Sequence, residues 1–548
     1  MFNLETIFVS LATAVFIWML LKNLKEIQVQ FEEKRFLLGF LLFLPFFILS
    51  ALVTIVVSGI FWIFRKLLSL LLKLKLGDDF YNLVENFDVY HTMEKTEFSF
   101  IHILLVVECD ELTGNGLYEW SKKPEHVNKM KNNENLQKLF CTLETCMGYS
   151  YYRKVSVASD DCILKLPVKQ QVTELENVEL AELLGESFYN PMPKKNTMLW
   201  DIQIGTQPLK SESINKKKYP VLFRVHHVIA DGVALAQLWL NIFPESNVEI
   251  VEVPKSISSL VERNHLRQIV GMIFETIILF PSLMYTSLYK KSDKNYLDGK
   301  NNIKKENLAF DIDKDGKYFQ KVKAIKQKCP QISFSDIILT ACSASLRDCL
   351  SKNTTSRPTY ITGLIPVITN FDRLLQMNSK KVTLINQYAG LQMKVPVFID
   401  NHKDYMIDYP LVSRLKMVNK LLKCSKTPSE LTYKTLLPFL GGLLPTSLLK
   451  FVVSQMSFTT AFSILPGSPK VSLNEPPISL SNCLFWLPHL QNIGVTFSVT
   501  TYNNQLDLAL NCNGSLGFDN ETVSGMIRNA YEYLDLLDVE IDKYQIQN

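Results

Sequence analysis

Residues 36–64 read FLLGFLLFLPFFILSALVTIVVSGIFWIF, a run of 29 positions without a single charge. Such a segment has to leave water whole. A helix crosses the hydrocarbon layer with about 20 apolar residues, so the run predicts a membrane span, its surplus length absorbed by tilt or by a kink at Pro45. Residues 2–21, FNLETIFVSLATAVFIWMLL, have Glu5 as their only charge and predict a first span. They carry no basic leader, and no small-residue cleavage site follows them, which argues against a removed signal peptide. Beyond the second run, RKLLSLLLKLKL sets Arg65, Lys66, Lys73 and Lys75 among leucines and predicts an extension of the anchor along the interface.

Two spans return the chain to the side on which it began. Charge does not choose that side. The loop 22–35 holds Lys22, Lys25, Lys34 and Arg35, and the stretch after residue 64 holds as many basic residues. The ten cysteines are more informative. None is spaced as Cys-x-x-Cys, and Cys342, Cys349 and Cys483 stand in apolar stretches, where a free thiol behaves as a small hydrophobe. That usage suits a reducing compartment and a cytosolic body, with the sequons at Asn353, Asn513 and Asn520 unused. A net charge of +4 over 548 residues gives no reason to invoke nucleic acid, and Lys216, Lys217 and Lys218 read as a solvated loop.

The sequence divides into an anchor over 1–76, a first domain over 80–287, a polar lysine-rich linker over 288–307 and a second domain over 308–535. Two apolar stretches, 265–287 and 432–452, are interrupted by Glu275 and Pro281 or by Pro438, Gly441, Gly442 and Pro445. They read as buried helices or membrane-facing lips of the body. Residues 98–108, 219–225 and 361–369 read as strands, 335–350 as a buried helix, and 492–514 as a hairpin turning at Asn503-Asn504. Strands and helices alternate in both halves, which gives an α/β (α+β) body.

Chemistry concentrates in VLFRVHHVIADGVALAQLWLNIF, residues 221–243. A strand delivers His226 and His227 to its end, Asp231-Gly232 follows, and a helix begins whose apolar face is Leu235, Leu238, Trp239 and Ile242. Gly232 would let the backbone turn tightly into that helix. Histidine titrates close to neutral pH, as general-base chemistry requires. A metal site needs several convergent ligands, and no cluster of Cys, His or carboxylates supplies them, so none is assigned.

His226-His227-x-x-x-Asp231-Gly232 resembles the signature of the coenzyme-A-dependent acyltransferase superfamily. The surroundings are similar to the wax ester synthase/diacylglycerol acyltransferase family: Met198-Leu199-Trp200, Phe334 to Leu339, Pro366-Val367 with Arg373, Asn386-Gln387, Ser463 to Ser468, and Tyr502. Met198, Ser335 and Ile464 depart from that family's Pro, Asn and Asn. The resemblance implies two chloramphenicol-acetyltransferase-like domains, mixed sheets flanked by helices, with a tunnel between them. It implies acyl-CoA as donor substrate with no permanently bound cofactor, a long-chain alcohol or diacylglycerol as acceptor, and a bilayer, that of the endoplasmic reticulum, as the working surface. His227 would be the base, and strand alternation then turns His226 towards packing or the tunnel lining. Asp231 would be structural and paired with an arginine, either Arg224 beside it on the strand or Arg373 in the motif. Ser335 or Asn386 would donate to the oxyanion.

Two other readings compete. A catalytically degenerate lipid-binding or lipid-transfer protein is motivated by the drifted motifs. A transporter is disfavoured because two apolar runs cannot build a pathway across the membrane without oligomerising. The topology reading predicts that protease applied to intact microsomes digests the chain beyond residue 80 and spares the spans; a glycan on Asn353 or Asn513 would reverse it.

Overall fold

The computed structural model describes residues 36–547 apart from 94–98, 110–111, 211–216, 243–294, 300–305, 353–356, 370–372, 374–381, 427, 455–457, 467–469, 474–476 and 489–492. The first predicted span (2–21), the apolar stretch 265–287 and Asn353 lie outside the described residues. Helix α1 (Phe36–Leu76) continues through Pro45. From Leu52 onward it is long and apolar enough to cross a membrane, by length and composition, and it is mostly exposed.

The leucine-rich stretch after residue 64 departs from expectation. It continues α1 unbroken and docks on the body, because its helical period puts Leu68 and Leu72 on one stripe, packed against Leu83, Tyr149 and Tyr151. Arg65 seals the seat. Its guanidinium donates to the Gly442 carbonyl at 3.0 Å and the Val84 carbonyl at 2.7 Å, and it lies over the Tyr149 ring.

In the first half, the strands are β1 (Phe80–Leu83), β2 (Phe100–Cys109), β3 (Cys141–Cys146), β4 (Tyr149–Lys154), β5 (Ile163–Lys165), β6 (Trp200–Ile204) and β7 (Lys217–His226). The longer helices there are α2 (Gly114–Ser121), α3 (Pro124–Lys131), α4 (Asn177–Ser187) and α5 (Gly232–Ile242). The second half contributes β8 (Glu306–Asp311), β9 (Tyr360–Ile368), β10 (Tyr388–Pro396), β11 (Thr460–Pro466), β12 (Ser472–Leu473), β13 (Ile478–Trp486), β14 (Val495–Tyr502) and β15 (Gln505–Asn513). Its helices are α6 (Lys317–Lys328), α7 (Phe334–Ser351), α8 (Pro410–Ser425), α9 (Pro428–Gly441), α10 (Thr446–Ser454) and α11 (Asn520–Gln547).

Two six-stranded mixed sheets form the body, ordered β12-β13-β2-β7-β6-β5 and β10-β9-β11-β14-β15-β8, with a small third sheet β1-β4-β3. The α/β class with two sheet-rich domains is as expected. The hairpin β14–β15 turns at Asn503 (φ 48°) and Asn504 (φ 60°), the positive angles a two-residue turn demands and asparagine tolerates. In the second domain α7, α8 and α11 pack on the sheet, and Val495, Phe497 and Val499 alternate into their core. Asn513 is buried in this domain, its side chain accepting the Ser515 N–H.

The halves are not separate along the chain. β12 and β13 belong to the second half yet complete the first sheet, β13 lying antiparallel to β2 with Phe485 opposite Ile103 and Cys483 opposite Leu105. Within the polar stretch 288–307, the described residues 295–299 pack on the second domain. Leu297 sits in the second domain's core, and Asn295 donates to Thr459 Oγ1 at 2.7 Å. A fragment of residues 80–305 would leave β2 as a bare apolar edge. It is expected to aggregate when expressed alone and to stay soluble when co-expressed with 306–548, as read by size-exclusion chromatography; a soluble monomeric fragment would show that β13 is dispensable.

Candidate active site

β7 ends at His226, and residues 227–229 turn the chain towards α5. The His226 N–H donates to the Leu199 carbonyl and the His227 N–H to the Ser99 carbonyl, fixing both sides of the turn. His226 packs: its Nδ1 accepts the Val228 N–H at 3.1 Å, and its ring stands edge-on to Phe100. His227 faces a cavity.

Each carbonyl of the turn is met by a different side chain. Asn386 Nδ2 donates to His227 O at 2.7 Å, the Tyr152 hydroxyl lies 3.0 Å from Val228 O, and Lys138 Nζ donates to Ile229 O at 2.8 Å. All three converge on the half-buried Asp88, at 2.8 Å from Asn386, 3.2 Å from Tyr152 and 2.6 Å from Lys138. Burial raises the Asp88 carboxyl above its ordinary value, against the pull of Lys138 and the hydrogen bonds from Asn386 and Tyr152. A backbone turn with three spoken-for carbonyls has little freedom left.

Asp231 closes the turn and starts the helix. Its Oδ1 accepts the Ala234 N–H at 3.0 Å, the bond of an N-cap. Its two oxygens also take Arg373, Nη1 at 2.8 Å and Nη2 at 3.0 Å, and Oδ2 accepts the Gln387 N–H at 2.8 Å. Of the two arginines left open, Arg373 is therefore the partner. Arg224 lies on the opposite side of the sheet, paired with buried Asp201 and donating to the carbonyls of Ser187 and Asn190. Gly232 is not at a positive φ. A Cβ there would lie 2.5 Å from Leu465 Cδ1 of β11, so glycine serves the close approach of the second domain and not the turn itself.

The cavity encloses ≈ 510 Å³ and is walled by both domains. Ile101, Ile103, Leu105 and Val107, alternate residues of β2, line it over about 20 Å of strand. Cys483 and Phe485 of β13 continue the same face, and Leu364 to Ile368 with Ser463 to Leu465 form the facing wall. His227, Asp231, Ser335 and Tyr388 are among its polar members. Ser335 stands in the first turn of α7, whose N-cap is Ser333. Asn386 does not line the cavity, and both its amide hydrogens are taken by Asp88 and His227 O. It has no donor left for an oxyanion, and that role is withdrawn.

Burial pulls the His227 imidazole down to about 4, opposed by its own carbonyl, Asp231 and the Asn386 side chain. Burial, then His227, lowers His226 to about 3. Both rings are neutral at pH 7. Nδ1 of His227 is buried and has no partner at full hydrogen-bond geometry among the described residues, its own carbonyl and the Asn386 side chain only approaching the ring. Instead the ring of His91, from the 3₁₀ segment Asn86–Thr92, stacks on it at 3.7 Å with planes 5° apart. His91 Nε2 lies 3.1 Å from the Tyr388 hydroxyl. Among the described residues no three His, Cys, Asp or Glu side chains are grouped to hold a metal ion.

Residues 386–534, which supply Asn386, Gln387 and Tyr388 to this site, match the family described as WS/DGAT C-terminal domain. The second half thus carries a WS/DGAT domain. The resemblance drawn from Asn386-Gln387 and Ser463 to Ser468 is borne out there. Among solved structures, the wax ester synthase/diacylglycerol acyltransferase from Marinobacter aquaeolei VT8 is 13% identical over 83% of this chain and 98% of its own, with a TM-score of 0.53. The TRI3 trichothecene 15-O-acetyltransferase from Fusarium sporotrichioides is 11% identical over 83% and 94%, with a TM-score of 0.56. At these identities the likeness establishes the two-domain acyltransferase fold around the WS/DGAT domain. No curated protein matches the chain by sequence.

Sequence reasoning missed Asp88, His91, Lys138, Tyr152 and Tyr388. They are single residues on elements far apart in sequence, and only the pair Asp88 and His91, three apart in NFDVYHT, offered a local signal. Asp88→Asn removes the charge that compensates buried Lys138 and is expected to cost about 3–5 kcal/mol. Thermal melting checks it; an unchanged melting temperature would show that the turn does not depend on Asp88.

Proposed function

We propose that this protein is a membrane-anchored O-acyltransferase that moves a long acyl group from coenzyme A to a long-chain alcohol or diacylglycerol, giving a wax ester or triacylglycerol. The observation that carries the reading is the placement of His227, neutral and buried, on the wall of an apolar cavity shared by both domains. Its Nδ1 is sealed, so Nε2 is the nitrogen a substrate can reach.

The alcohol hydroxyl would lose its proton to Nε2 as its oxygen attacks the thioester carbon. The tetrahedral intermediate would place negative charge on the former carbonyl oxygen, and Ser335, in the first turn of α7, supports that charge with its hydroxyl and the helix N-terminus. Collapse breaks the carbon–sulfur bond, and the imidazolium returns its proton to the departing thiolate. No acyl-enzyme is needed. The apolar walls suit hydrocarbon chains and exclude the water that would hydrolyse the thioester. Lipidic substrates concentrate in the membrane that α1 is fit to cross, and a cytosolic body on the endoplasmic reticulum would meet acyl-CoA there.

The test is ester formation by the purified protein from palmitoyl-CoA with hexadecanol or diacylglycerol. His227→Ala is expected to lower turnover about 10²–10⁴-fold, while His226→Ala keeps measurable turnover per folded molecule. Binding of palmitoyl-CoA without any ester would favour a lipid-binding protein instead. Because the base works only when neutral and its folded value is depressed to about 4, kcat/KM should be flat from pH 8 down through pH 6 and fall as pH approaches 4. A limb centred near the ordinary histidine value would contradict this.

A further inference from the structure

The orientation of a catalytic imidazole is ordinarily set by a hydrogen bond to its second ring nitrogen. In His227 that nitrogen is buried and finds no partner at full hydrogen-bond geometry among the described residues; its own carbonyl and the Asn386 side chain only approach the ring, which leaves the ring plane for another contact to fix. The outer torsion of histidine is broad and does not fix it alone. His91 lies face to face with His227, and rotation of the His227 ring would drive its edge into that face. His91 is itself held. It is 4% exposed, its Nε2 meets the Tyr388 hydroxyl, and Tyr388 packs on Phe87 with ring centroids 4.5 Å apart. His91 does not line the cavity, and no step of the proposed chemistry uses it.

We propose that His91 is a positioning residue for His227, holding the plane of its ring by stacking in place of a hydrogen bond to Nδ1, with Tyr388 pinning His91 in turn. The inference rests on His227 being the base. Two imidazolium rings at this separation would repel strongly, and burial, followed by His227, His226 and Lys138, keeps His91 neutral. When His227 takes the proton, it therefore lies on an uncharged π face, an arrangement that favours the cation. The stack steers the ring before the proton moves and supports the charge afterwards.

The experiment uses the full-length protein in detergent micelles, with palmitoyl-CoA and hexadecanol. His91→Ala is expected to lower kcat about 10–100-fold with KM for palmitoyl-CoA little changed. His91→Phe restores a flat ring without the nitrogen and is expected to recover kcat to within about 5-fold of the wild type, a rescue that loss of the stack predicts. Equal losses in the two variants, or wild-type kcat in His91→Ala, would overturn the stacking role. A His227→Ala control separates the two readings. Undiminished turnover there removes the base assignment and the proposal with it. An inactive His227→Ala beside an undiminished His91→Ala overturns the stack alone.

Discussion

The Asp231 carboxylate is the charge on which the halves of this molecule agree. It caps α5 in the first domain, accepts the guanidinium of Arg373 with both oxygens and takes the Gln387 N–H at the edge of the WS/DGAT domain. A buried ion pair adds little net stability over a well-packed apolar one, but separating it is costly, so its value lies in registration. The two domains can slide only by stripping that carboxylate of partners. Leu465 packs close against Gly232 at the same contact, where a Cβ would require the leucine side chain to move. The cavity wall bearing His227 is thereby held at a fixed distance from the wall bearing Ser335.

The sequence made legible whatever depended on local pattern. The histidine pair at a strand end, the helix after Gly232, the hairpin at Asn503-Asn504 and the buried helix at 335–350 all follow from periodicity and turn chemistry. Arg373 was legible only as one of two candidates, because pairing across 142 positions leaves no periodic trace. Asp88, Lys138 and Tyr152 were invisible for the same reason: each looks like an ordinary polar residue until the fold brings Lys138 and Tyr152 onto the carbonyls of the histidine turn and Asp88 onto those two side chains. Asn386 was recognised by its motif but given the wrong task. A motif names a residue without saying which of its hydrogens remain free.

The seat of α1 shows how this long apolar helix and the body are joined. Its length and composition fit it to cross a membrane, and Arg65 binds it to the carbonyls of Val84 and Gly442, more than 350 residues apart in sequence. Gly442 ends the α9 region, which packs through Leu431 and Tyr433 towards the core and the cavity. The apolar helix is thus continuous with the shell of the site and not a tether on a loose linker.

The excursion of β13 into the first sheet has a consequence for how the chain comes into being. Strand β2 emerges from the ribosome early, yet β13, one of its two antiparallel partners, lies over 370 residues later, at the distance that separates Ser479 from Glu108. Until that partner arrives the first sheet has an open apolar edge, and a pairing of such long sequence separation is slow to form. During that interval the nascent chain is exposed to wrong partners.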